Sequence, residues 1–430
     1  MMSDDTKIKT MSFKTSSVPL GWKYLKTKEL FKNSSFKNNL NEELLSVTQD
    51  KGVLPRKMLE NRVVMPESGT KNYKLVNCGD FIISLRSFQG GIELSYYRGL
   101  VSPAYTVLSP INELHSPYFK YLFKSDEFIS KLGSAVIGIR DGKQISFSVF
   151  SELNVLVPPL PEQRKIADIL TSVDKAIEKT EAIIAQTETV KMGLMQQLLT
   201  KGIGHTRFKQ TEIGEIPEEW DVIQLAEVIS SLTAGVSVNS ENREAQEGEL
   251  GILKTSAITY GKFNPKESKV ILKSELDRVT ISPKKDHLII SRMNTPLLVG
   301  ASVYIDKDYP NLFLPDRLWL AEVKRNDVWV KWFGYLLSSN KMRERISDIA
   351  TGTSNSMKNI SKKSFLSLNI FIPSIKEQKQ ISDILTSIDN KITIEQQKLT
   401  QLQTIKKGLM QVLLTGKVRV KVDQPEEVVQ

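Results

Sequence analysis

Three histidines, His115, His205 and His287, and one cysteine, Cys78, are the only imidazoles and thiol in 430 residues. A zinc site normally takes four clustered ligands. These four residues are scattered without ligand spacing, so the sequence predicts no metal site. A lone thiol forms no internal disulfide, which points to a cytoplasmic setting. Neither a phosphate loop ending in Gly-Lys-Ser/Thr nor a Gly-x-Ser-x-Gly nucleophile turn is present. Paired carboxylates occur as Asp168/Asp174 and Asp306/Asp308, and both pairs read as solvated. The chain is expected to bind rather than to catalyse. Lys and Arg exceed Asp and Glu by 59 to 49, a net charge of +10. That excess fits a nucleic-acid partner and fits an ordinary solvated surface equally well.

The elements that would position any binding residues come in two copies. Pro158 to Thr200 aligns without a gap onto Pro373 to Thr415 at an offset of 215, with 21 of 43 positions identical. The identities include Glu162/Glu377, Gln163/Gln378, the run Asp168 to Ser172 against Asp383 to Ser387, and Gly193 to Gln196 against Gly408 to Gln411. Upstream the repeat loosens: Tyr121/Tyr335 match at 214, Asp80/Asp286 and Arg86/Arg292 at 206, Pro19/Pro217 and Trp22/Trp220 at 198. Each half is therefore a length-variable domain followed by a length-fixed segment.

The fixed segments read as long helices. Ile166, Leu170, Val173, Ile177, Ile184, Leu194 and Leu198 recur at steps of three and four, and so do Ile381, Leu385, Ile388, Ile392, Leu399, Leu409 and Leu413. This is the seam of a coiled coil. Pro161 suits a first helical turn, with Glu162 at the positive end of the dipole. Gly202 and Gly416 read as stops. Gly193 and Gly408 lie inside the helices, where glycine costs about 1 kcal/mol against alanine. Their recurrence predicts close approach of another backbone. A second stripe, Ile169, Met195 and Leu199 with Ile384, Met410 and Leu414, lies beside the seam. It predicts a cover of flanking domains or of partner helices.

The variable domains carry short β-rich runs at Asp80–Arg86, Tyr105–Leu108 and Leu153–Val157, with counterparts at His287–Arg292, Trp319–Val323 and Leu368–Ile372. One helix per domain is expected, around Pro117–Leu132 and Val328–Ile349. The expected fold class is α+β: two duplicated mixed domains separated by two long helices in an antiparallel coiled coil, pseudo-two-fold symmetric. The segments are 1–157 (first domain with a short tail), 158–204 (central helix), 205–372 (second domain), 373–418 (distal helix) and 419–430 (tail). By segment the charge is +6 for 1–157, zero for 158–205, +2 for 206–372 and +2 for 373–430. A neutral coil fits protein contacts, and a basic domain fits an anion. A scaffold without nucleic acid and a free-standing DNA-binding regulator would use the same parts. The scaffold would not need the basic domain, and the regulator would not need the second stripe. No apolar run approaches the ~20 residues of a membrane span, and the start, with Asp4 and Asp5, is not a secretory signal.

At Pro158-Pro159-Leu160-Pro161-Glu162-Gln163-Arg164-Lys165-Ile166 and at Ile372 to Ile381 the chain resembles the specificity subunits of type I restriction-modification systems. Ile213 to Trp220 resembles the usual start of a second recognition domain there, and Gly79 to Ile83 and the Gly352 to Ile360 loop also fit. The first domain departs from the pattern by opening with Val18-Pro19-Leu20-Gly21-Trp22. The resemblance runs from Pro19 to Lys417. It implies a non-catalytic subunit in a prokaryotic cytoplasm, part of a phage-defence system, whose two target-recognition domains each read half of a split double-stranded DNA site. It implies two docked modification subunits, adenine-N6 methyltransferases using S-adenosylmethionine. It also implies restriction subunits, translocases and nucleases using ATP and Mg. No cofactor is expected on this chain itself.

Arg and Lys read guanine, and Asn and Gln read adenine. The candidates for DNA contact are therefore Arg86, Gln89, Arg98, Arg140, Lys143 and Gln144 in the first domain. In the second they are Lys254, Arg292, Asn294, Arg317, Asn355, Lys358 and Asn359. Recurring members such as Arg86/Arg292 suit phosphate or the fold better than base reading, because domains that read different sequences share positions only for shared tasks. The second stripe is the expected docking face for the modification subunits. The helices are expected to act as a ruler: 39 residues from Glu162 to Thr200 span about 58 Å at ~1.5 Å per residue. At ~3.4 Å per base pair this bounds the half-site separation near 17 base pairs, and an asymmetric site of roughly 13–15 base pairs in all is expected.

Overall fold

The computed structural model describes residues 18–39, 41–48, 52–59, 69–84, 91–135, 145–354 and 357–422. The chain divides into two compact units, Met1–Glu181 with Gln397–Gln430, and Ala182–Gln396.

In the first unit β1 (Lys23–Lys26) leads through a single helical turn into β2 (Phe31–Ser34). Then come β3 (Phe81–Ile83), β4 (Ile92–Leu94) and β5 (Thr106–Pro110). These four form an antiparallel sheet in the order β2-β5-β3-β4, with Ile82 opposite both Val107 and Glu93. Helices α1 (Ser116–Phe123) and α2 (Asp126–Ala135) follow, and β6 (Asn154–Val157) returns to pair with β1, Lys23 opposite Val157. The pairing of first and last strands brings the chain out of the domain where it went in. There Leu160–Lys201 forms α3, 42 residues long.

The second unit repeats the plan. Strand β7 (Asp221–Gln224) is followed by β8 (Ile229–Ala234), β9 (His287–Ser291), β10 (Met293–Asn294), β11 (Ser302–Ile305) and β12 (Leu318–Val323). The main sheet runs β8-β12-β9-β11, the order of its counterpart. Helices α4 (Val330–Ser338) and α5 (Asn340–Asp348) precede the hairpin β13 (Thr351–Ser354) and β14 (Met357–Asn359). Strand β15 (Asn369–Ile372) pairs with β7, and Ile375–Leu413 forms α6, 39 residues long.

Aromatic rings fill the first core. Phe31 packs edge-on against Phe81 and Phe119 at 5.6 and 5.2 Å between centroids, and Phe123 stacks near Phe128 at 4.9 Å. Fully burying a side chain of this size contributes roughly 1.5–3 kcal/mol. In the second unit Trp220, Trp319, Trp332, Phe333 and Phe365 serve the same purpose.

Three expectations are corrected. Each domain has two helices where one was expected, because a serine interrupts the run. Ser339 Oγ accepts from the Met342 amide at 3.4 Å, and Ser125 Oγ accepts from Phe128 at 3.3 Å, each starting a new helix. The compact units also cut across the five-segment division: each long helix is shared about its middle, because its two ends pack into different cores. Finally, no backbone lies near Gly193 or Gly408. Both are exposed, with nothing within 4 Å of where a Cβ would sit. Gly202 and Gly416 do follow the helices, with φ of 65° and 68°, the left-handed stop that glycine accepts without strain.

Candidate functional site

The first turn of each long helix is a clamp made by the recurring Glu-Gln pair. Glu377 is 8% exposed and ionisable, so its burial must be compensated by donors. Its Oε2 accepts from Trp220 Nε1 at 3.0 Å; its Oε1 accepts from the Ile203 amide at 2.9 Å and lies 2.9 Å from His205 Nε2. In the first unit Glu162 accepts from Trp22 Nε1 at 3.2 Å and from Arg419 Nε at 2.9 Å, and its other oxygen meets the Arg419 Nη2. The neighbouring glutamines tie helix to domain. Gln163 accepts from the His115 amide at 3.0 Å and donates to the Pro158 carbonyl at 2.9 Å. Gln378 accepts from the Trp329 amide at 2.7 Å and donates to the Pro373 carbonyl at 2.9 Å.

A second recurring device joins the helices inside each unit. Asp174 of α3 meets Lys406 of α6 at 2.7 Å, and Tyr121 donates to Asp174 at 2.8 Å. In the other unit Asp389 meets Lys191 at 2.5 Å, and Tyr335 donates to Asp389 at 2.8 Å. Burial, with a carboxylate in hydrogen-bond contact, pushes both tyrosine hydroxyls well above their ordinary range. Within each unit the start of one helix thus lies against the end of the other, an antiparallel pairing. Every residue of the expected seam is buried or half-buried. Asp174 is corrected from a solvated to a paired carboxylate, while Asp168 and the Asp306/Asp308 pair are exposed.

The second stripe is corrected in part. Leu199 and Leu414 are 1% and 3% exposed and belong to the cores of their own units, and Ile169, Met195 and Met410 pack against those cores. Their cover is the flanking domains. Ile384 alone of the six is exposed, at 37%.

Of the thirteen candidates for DNA contact, Arg86, Gln89, Arg140, Lys143, Gln144 and Asn355 lie outside the described residues. Arg292, Arg317 and Lys358 are brought together. The Arg292 amide donates to the Arg317 carbonyl at 3.0 Å, and Lys358 pairs across to Asn294, two residues beyond Arg292. Arg292 spends its Nε on the Asp316 carbonyl at 2.7 Å, which leaves its outer nitrogens to act. Arg317 is exposed, and its side chain makes no hydrogen bond or ion pair among the described residues. Asn294 is corrected: it is 9% exposed, and its amide group is used on Ser291 Oγ and the Thr295 amide. Asn359 carries a buried Oδ1 with no partner among the described residues. Arg98 is held by Glu42 and Asn77 at 2.8 and 2.6 Å, and Lys254 by Glu267 at 3.4 Å. Among the described residues no group of three or more His, Cys, Asp or Glu could hold a metal, and no helix is long and apolar enough to cross a membrane.

The sequence marked the Glu-Gln pair as identical but did not find its work. The signal was there: Trp22/Trp220 recur independently, and a buried tryptophan nitrogen needs an acceptor.

A duplicated α+β domain, completed by paired long helices, defines a two-headed recognition protein. The chain belongs to the type I restriction-modification DNA specificity family: the family's domain matches twice, at residues 19–189 and 217–404. It is 29% identical over 352 residues to the MjaVIII specificity subunit of Methanocaldococcus jannaschii, 81% of either chain. It is 25% identical over 289 residues to the EcoKI specificity subunit of Escherichia coli, covering 64% of this chain and 59% of that one. The crystal structure of a type I S subunit from M. genitalium superimposes with a TM-score of 0.56 at 16% identity, over 93% of this chain and 97% of that one. That likeness concerns the fold.

Proposed function

We propose that this chain is the non-catalytic DNA-reading subunit of a type I restriction-modification complex in a prokaryotic cytoplasm. Each domain reads one half of a split, asymmetric double-stranded site, and the long helices set the spacing between the halves. Two adenine-N6 methyltransferase subunits supply S-adenosylmethionine chemistry, and restriction subunits supply ATP- and Mg-dependent translocation and cleavage. The observation that supports this reading is the recurrence of one clamp and one cross-helix pair in both units while the loops between them differ. A shared frame with private loops suits one task performed on two different sequences.

The test is a ruler experiment. Inserting one heptad into each long helix keeps the seam in register and adds ~10 Å, or about three base pairs. Methylome sequencing should show the same half-sites with a longer spacer. Unchanged spacing with methylation retained, or altered half-sites, would contradict the reading.

A further inference from the structure

Each unit has a cavity in the same place. In the first, about 600 Å³ lies between the last third of α6, the α1–α2 turn and β6; in the second, about 800 Å³ lies between the end of α3, the α4–α5 turn and β15. The linings correspond at the repeat offset. Lys406, Met410 and Leu414 face one cavity, and Lys191, Met195 and Leu199 the other. From the domain side Leu122, Phe128 and Leu156 correspond to Leu336, Met342 and Phe371. Both floors are apolar and both rims are more basic than acidic, five residues against two in the first and five against three in the second.

Beside each cavity the helix surface is flat at the same positions. Gly193 and Gly408 have nothing within 4 Å of a would-be Cβ. Val190 and Ile405, three residues earlier on the same face, are 49% and 50% exposed. Thr189 and Thr404 fold their hydroxyls back onto the Ala185 and Thr400 carbonyls at 3.0 and 2.9 Å. A glycine inside a helix weakens it, and nothing within this chain requires one here. The open space suits a backbone from outside.

We propose that each cavity with its glycine seats one α-helix of the modification subunit. The helix is acidic and amphipathic; its backbone crosses at Gly193 or Gly408, and an apolar side chain enters the adjoining cavity. The proposal rests on the function proposed above and gives it a location. Two occurrences of one surface call for two copies of one partner. The domains' private loops cannot be that surface, because they differ between units. An apolar floor excludes the phosphate backbone of DNA, and the basic rims select an acidic helix.

The experiment substitutes glutamine, a good helix former, at Gly193, at Gly408 and at both, in the full chain co-expressed with its methyltransferase. Native mass spectrometry counts the subunits. The unaltered chain should carry two, each single variant one, and the double variant none. Far-UV circular dichroism should be unchanged, with a Tm no lower than that of the unaltered chain. A double variant that keeps both subunits overturns the docking location. An unaltered chain that takes up no methyltransferase overturns the functional reading and this inference with it.

Discussion

The two clamps are built on the same glutamate but are not equally costly to break. Removing Glu377 by Glu377→Ala strands three donors: Trp220 Nε1, the Ile203 amide and His205 Nε2. Trp220 is 1% exposed and the His205 side chain 12%, so water reaches neither readily. A buried donor left without an acceptor costs about 1–3 kcal/mol. With partial recovery at the other two donors, the loss comes to about 3–5 kcal/mol, the range for removing one member of a buried polar cluster. Glu162→Ala strands Trp22 Nε1 and Arg419. The Arg419 side chain is 39% exposed and rehydrates, so the expected loss is nearer 2 kcal/mol. Urea titration followed by tryptophan fluorescence assigns each loss to its unit, since Trp22 lies in the first and Trp220, Trp319, Trp329 and Trp332 in the second. Glu162→Ala made in a Trp22→Phe background should cost less than in the native one, because the stranded donor is gone. If Glu162→Ala proves the costlier of the two, or if the Trp22→Phe background makes no difference, the reasoning from stranded donors fails.

Gly202→Ala should lower stability by about 1–3 kcal/mol: φ there is 65°, and the new Cβ would stand 2.3 Å from a Glu377 oxygen. Thermal unfolding checks it. Burial raises the Glu93 carboxyl above its ordinary 4.5, only partly opposed by Lys124. The folded chain therefore holds this proton more tightly than the unfolded chain. Its stabilising contribution is present below pH ~4.5 and is lost as pH rises through the raised value. Denaturation of Glu93→Gln beside the native chain should show the native chain losing ground across that window, and a gain there would count against it. Arg317→Ala should weaken DNA binding and flatten log K against log salt by about one unit, measured by fluorescence anisotropy on the assembled complex.

Much of this architecture is legible in the residues alone. An offset that stays at 215 for 43 residues means rigid helices, and one that slides upstream means loops. The seam followed from three-and-four spacing because coiled-coil contacts repeat locally. What spacing does not carry is the partner of a polar residue far along the chain. Asp174 read as solvated because Lys406, 232 residues away, is what pairs with it. The second stripe misled for a related reason: Leu199 and Leu414 are apolar on a face beside the seam, and sequence does not tell a domain's core from a partner's surface. Among the candidates for DNA contact, residue type alone could not separate Arg317, which stands free, from Asn294, which holds its own loop.

The division of the long helices has a consequence for the order in which the protein can be made. The second unit is one continuous stretch, Ala182–Gln396, and has every strand and helix it needs once that stretch has left the ribosome. The first unit needs Gln397–Gln430 as well. Leu413 and Leu414 lie in its core, and Arg419 closes its clamp on Glu162. At ~5–20 residues per second, the half that emerges first therefore waits roughly 10–50 s for the 216 residues from Ala182 to Gln397 before it can close. During that interval its apolar helix-binding groove is open to solvent and to chaperones, and translation that stops short of α6 would leave a finished second head attached to an unfinished first one.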